Sequence, residues 1–150
     1  MTQPFALQTV LELMQRRTDE ATQELARLIA AEQDARSKLD LLRQYREEYG
    51  QRFQSSAQGG MTPLQWKNFQ DFLARLDEAI GQQQQALAQS QGRTAAGQKH
   101  WQAQRARLKA IDALSERHAR TEEMKEGRRE QKRADEFAAR MKRDGEDGSG

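Results

Sequence analysis

The feature that most constrains this chain is a strict four-three spacing of apolar residues. It runs twice, on either side of one strong break, Gln58-Gly59-Gly60-Met61-Thr62-Pro63. From Leu7 the steps pass through Leu11, Met14, Leu25, Leu28, Leu39 and Leu42 to Phe53. Eleven of the fourteen stations are apolar, with Thr18, Glu32 and Arg46 the exceptions. From Trp66 the steps pass through Phe69, Leu73, Leu76, Ile80 and Leu87 to Leu108 and Ile111. Nine of these fourteen are apolar, and the weak section lies between Gln83 and Gly97. A 3.5-residue period keeps one stripe turned toward a partner helix along its whole length. A stripe that stops at a glycine pair and resumes beyond a proline predicts a helix folded back on its neighbour.

The second helix carries its own start signal. Thr62, Pro63 and Gln65 supply an N-cap, an N1 proline and the third-position partner of a capping box, and Met61 and Trp66 stand where a hydrophobic staple would. Folding the stripes about the glycines so that opposed numbers sum to about 119 sets Leu7 against Ile111, Leu11 against Leu108 and Leu39 against Ile80. Small or polar stations then meet large ones: Thr18 faces Trp101, Leu25 faces Thr94, and Glu32 faces Leu87. The second stripe fades beyond Ile111 and Leu114, where the first helix has no residues left to oppose it.

The expectation is therefore an all-α chain, a long antiparallel two-helix coiled-coil hairpin with a C-terminal helical overhang. It forms a single coiled-coil domain over 1–150. Helix 1 is placed at about 5–56, a turn at 57–62, helix 2 at about 63–142 and a disordered tail at 144–150. At 1.5 Å per residue the helices would run ~78 Å and ~120 Å. Gly81, Gly92 and Gly97 each cost helix 2 about 1 kcal/mol relative to alanine, which predicts a soft middle.

Composition suits such a seam. Only 35% of residues are hydrophobic against 32% charged, too little apolar mass for a globular core. Cysteine is absent, which points to a reducing compartment without disulfides or thiolate metal sites. No apolar run reaches the ~18–20 residues that span a bilayer, so no direct membrane insertion is expected.

The same layout argues against catalysis. His100 and His118 are the only histidines, and neither has a companion at ligand spacing. Two helices cannot enclose a site that excludes water and retunes carboxylates. No catalytic, cofactor-binding or metal site is expected, and no cofactor. Between 115 and 143 ten basic residues face seven acidic ones. The interleaved carboxylates would repel phosphates, so nucleic acid is not an expected partner. Phe137, Ala138 and Met141 form a small apolar stripe in this polar stretch, which predicts that it docks on something. Tyr45 and Phe72 sit beside the seam near the turn, where a two-helix structure cannot fully cover them, and read as a partner-binding hot spot.

Taken together, Leu42-x-x-Tyr45-x-x-x-Tyr49, the break followed by Trp66, the Phe72-x-x-x-Leu76-x-x-Ala79 run and the late Gln131-Lys132-x-x-Asp135-Glu136-Phe137-Ala138 resemble the flagellar export protein FliJ family. The resemblance covers essentially the whole chain. It implies a cytoplasmic, non-enzymatic component of the flagellar type III export apparatus, peripherally associated with the inner face of the cell membrane at the flagellar base. The family is similar to the central stalk of rotary ATP synthases. It implies as partners the hexameric export ATPase, whose ring assembly and activity it promotes, the cytoplasmic domain of the export-gate membrane protein, and substrate-specific export chaperones. Carried over residue by residue, the gate-binding face falls on Leu42, Tyr45, Tyr49, Phe72, Leu76 and Ala79, with Lys38 and Gln83 standing where glutamine and histidine are expected. The ATPase-facing segments fall on Leu7, Val10, Arg117, Arg128, Arg133 and Phe137. From heptads alone, the alternative is a generic coiled-coil scaffold or a parallel homodimeric spacer.

Overall fold

The computed structural model describes residues 2–147, with side chains over 6–146. It consists of two long helices packed against each other, α1 (Thr2–Gln58) and α2 (Pro63–Asp147), with no strand among the described residues. Both helices exceed the expected limits. Pro4 lies within the first turn of α1, where backbone N–H groups have no helical partner to lose. At the far end, 144–147 continue α2 rather than forming part of a disordered tail, because extending an existing helix adds a hydrogen bond for each residue fixed. The rest of that expected tail, 148–150, lies outside the described residues.

The connection is built from the residues that announced it. The Gly59 N–H donates to the Ser55 carbonyl at 3.2 Å and the Gly60 N–H to the Ala57 carbonyl at 3.3 Å, closing the last turn of α1. Gly60 takes φ +94°, a conformation that only glycine adopts at low cost. The capping box then opens α2. The Thr62 N–H donates to Gln65 Oε1 at 3.1 Å, and the Gln65 N–H donates back to Thr62 Oγ1 at 3.2 Å.

Contacts along the chain group into two units: one is the stretch from Thr18 to Gln104, and the other joins the chain up to Arg17 with the chain from Arg105 onward. In the first unit the heptad stations from Thr18 to Phe53 are all buried or half-buried. Ala21, Ala35, Leu39 and Leu76 form the core proper. Polar stations are used rather than merely tolerated. Thr18 Oγ1 donates to the Gln104 carbonyl (3.4 Å), Gln83 Nε2 to the Ala35 carbonyl (3.0 Å) and Thr94 Oγ1 to the Leu28 carbonyl (3.3 Å). Trp101 Nε1 donates to Thr22 Oγ1 at 2.9 Å.

These bonds revise the expected opposition. Trp101 reaches Thr22, one turn beyond the expected Thr18, and Thr94 reaches the Leu28 carbonyl, one turn beyond the expected Leu25. Opposed numbers run from 118, for Gln83 with Ala35, to 125, for Gly97 with Leu28, and centre near 122. Nearer the turn the expected value holds, with Tyr49–Phe69 at 118 and Phe53–Trp66 at 119, and the shift of about one turn is confined to the stretch from Thr94 to Gln104. Gly97 lies in this stretch, and an added Cβ there would stand 2.5 Å from Leu28 Cδ1, so the leucine methyl fills space that the glycine leaves open. Trp66 is the one α2 station that stays largely open, 44% exposed, although its ring lies 4.8 Å from that of Phe53.

In the other unit Leu7, Leu11, Met14, Leu108 and Ile111 are half-buried, as their spacing predicts. The shielded stripe does not end with Leu114, which is exposed; it passes instead through Ser115 and His118. Beyond His118 every described side chain is exposed, so α2 continues for several turns without a covering partner.

Candidate partner-docking face

Around Tyr45 the two helices present an apolar flank. Tyr49 stacks on Phe72 with ring centroids 4.3 Å apart and on Phe69 at 5.2 Å, in tilted geometries that favour aromatic pairs. Tyr45 follows Leu42 by three residues and precedes Tyr49 by four, which sets it on Tyr49's side of the seam. Ala79 follows Phe72 by seven and shares its side. The opposite flank is closed by Arg46 Nε and Asp77 Oδ1 at 2.9 Å, since Asp77 stands about 140° around α2 from Phe72.

The six residues of the expected gate-binding face are thus brought together, but on unequal terms. Leu42, Tyr49, Phe72 and Ala79 are half-buried, and Tyr45 is 54% exposed. Leu76 is only 8% exposed and belongs to the core, so it supports the face from beneath. Spacing alone signalled this, because Leu76 is a heptad station while Tyr45 and Phe72 flank the heptad. Reasoning from motifs overlooked Leu41, which is 62% exposed one turn before Tyr45.

The second set divides differently. Leu7 and Arg117 line one open hollow of about 320 Å³ with Leu114, His118 and Thr121, and the His118 Nε2 is buried there without a hydrogen-bond partner. Val10 is just over a third exposed. Arg128, Arg133 and Phe137 lie on the uncovered part of α2 and do not join that hollow. Among the described residues no group of three metal-ligating side chains converges, and no helix is long and apolar enough to cross a membrane.

Fold and face together define an all-helical hairpin that leaves aromatic and aliphatic side chains uncovered on one flank. Over residues 3–146 the sequence matches the family described as "Flagellar FliJ protein", and the chain belongs to that family. It is 31% identical over 140 residues to the flagellar FliJ protein of Escherichia coli (strain K12), covering 93% of this chain and 95% of the relative. Identity and coverage are the same against the flagellar FliJ protein of Salmonella typhi.

Proposed function

We propose that this chain is a non-enzymatic coupling component of the flagellar protein export apparatus. It promotes assembly and activity of the hexameric export ATPase, engages the cytoplasmic domain of the export-gate membrane protein and serves substrate-specific chaperones. It works in the cytoplasm at the inner face of the membrane. Membership of the flagellar FliJ family supports the setting. The observation that carries the docking role is Tyr45, 54% exposed beside the Tyr49–Phe72 stack. Aromatic side chains left open beside a packed support are what partner hot spots are made of.

In this reading the gate contacts Tyr45 and the outer edges of Leu42, Tyr49, Phe72 and Ala79, held in place by Leu76. The ATPase contacts the Leu7–Val10 end of α1 with Arg117 beside it, and the uncovered stretch of α2 that carries Arg128, Arg133 and Phe137. A helix exposed on all sides over several turns draws its stability from tertiary partners, which suits a segment that enters another protein. Adding the purified chain to the export ATPase of the same organism should raise hydrolysis and ring formation. Unchanged hydrolysis at saturating chain would overturn the coupling role.

A further inference from the structure

We propose that α2 carries a yielding segment over residues 81–97, which detaches from α1 and recloses while α1 stays helical opposite it. The segment lies inside the Thr18–Gln104 unit, and it depends on neither the docking nor the coupling reading above.

The seam is thinly packed here. No α2 residue between Leu76 and Gln104 is buried. Of the stations in this segment only Leu87 is a large apolar residue; Gln83, Ser90, Thr94 and Gly97 fill the others. Across the seam Glu32 holds a station, so a carboxylate stands where an apolar side chain would. The polar bonds that close the seam are also expendable. Gln83 Nε2 and Thr94 Oγ1 donate to the Ala35 and Leu28 carbonyls, mid-helix groups that already accept from N–H groups of α1. Thr94 Oγ1 lies 3.1 Å from the Ser90 carbonyl of its own helix as well, so its hydroxyl keeps an acceptor when the seam opens.

The two sides of the seam differ in their own support. The facing stretch of α1, about 22–38, holds three ion pairs within the helix: Glu24–Arg27, Glu32–Arg36 and Asp34–Lys38. It contains no glycine. On the other side α2 has no charged residue over 79–92, so no ion pair braces it there. Gly81 and Gly92 loosen it further, and packing requires neither. A Cβ at either position would meet nothing within 4 Å, and neither glycine has positive φ. Gly97 is different, since the Leu28 methyl fills the space beside it. Two glycines that no contact demands thus sit in a charge-free helix opposite a braced one, which lets α2 yield alone. The flanks stay closed, because Leu39 and Leu76 are buried toward the turn and Thr18, Ala21 and Gln104 on the far side. The unit can therefore bend in its middle without unzipping.

Amide hydrogen exchange of the full chain under native conditions, read residue by residue by NMR, is the test. Protection over 82–96 should be at least about tenfold lower than over 23–38, with a weak dependence on urea, as expected of a local opening. G81A/G92A should raise protection over 82–96 about twenty-five-fold, about fivefold for each glycine, and leave 23–38 within about twofold. Both positions face open space, so the double variant should fold as the unaltered chain does. Equal protection on the two sides of the seam would mean that the helices open only together, and would overturn the inference. Lower protection in α2 that G81A/G92A leaves unchanged would overturn it too, because the glycines would then not be its source.

Discussion

Gly97→Ala should fail to stabilise this protein, although alanine is the better helix former by about 1 kcal/mol. The reason lies across the seam. A Cβ at position 97 would stand 2.5 Å from Leu28 Cδ1 and 3.8 Å from Leu25 Cδ1. Carbon atoms rest about 3.5–4.0 Å apart, so the Leu28 methyl would have to retreat by about 1 Å or more. Overfilling a packed site costs about 1–3 kcal/mol, which outweighs the propensity gain and leaves a net loss of about 0–2 kcal/mol. Gly92 is the internal control, because a Cβ there meets nothing within 4 Å. Gly92→Ala should gain about 1 kcal/mol, a difference of about 1–3 kcal/mol between the two variants. Urea unfolding followed by far-UV circular dichroism measures both. In a Leu28→Ala background the alanine at 97 should recover its gain, since the clash is gone. Equal stabilisation by the two alanines in the unaltered background would refute the seating of Leu28 on Gly97.

Other perturbations separate support from contact. Thr62→Ala removes one half of the capping box and should cost about 1 kcal/mol in urea unfolding, most of it recoverable with serine. Gly60→Ala forces a side chain into positive φ and should cost about 1–2 kcal/mol by the same assay, even though the new methyl would meet only open space. Tyr45→Ala should leave the urea midpoint within about 0.5 kcal/mol of the unaltered chain while weakening gate binding, as expected of an exposed residue. Phe72→Ala should lower both, because its ring supports Tyr49 at 4.3 Å; an unchanged midpoint would show that the stack contributes nothing to the fold.

Much of this was legible in the sequence, and the limits are physical. The four-three period fixed which face of each helix is shielded, and every α1 station from Leu7 to Phe53 is buried or half-buried. Periodicity carries no information about axial offset, because sliding one stripe along the other by a turn keeps the same faces together. The local offset follows from the particular side chains at the stations: the open space at Gly97 that Leu28 fills, and Gln83 and Trp101, which bond across the seam. The end of the paired region moved for a related reason. Ser115 and His118 keep the heptad phase without being apolar, whereas Leu114 is apolar and out of phase. At the docking face the motif gathered the right neighbourhood but could not rank burial. Only the heptad spacing separates Leu76 from Tyr45: Leu76 is a station and lies in the core, whereas Tyr45 flanks the stripe and is surface.

Every assignment above depends on the stretch before the glycine pair lying intramolecularly against the stretch after it. The chain has no cysteine, so spin labels at Asp40→Cys and Glu78→Cys, both exposed, report on this cleanly. Helices packed about 8–10 Å apart, each about 10–12 Å across, place the labels roughly 25 Å from one another. Dipolar spectroscopy should return one such short distance, unaltered when labelled chain is diluted into unlabelled chain. A distance near 50 Å, expected if the helices open about the turn, or a short distance that vanishes on dilution, would contradict the hairpin and all that is built on it.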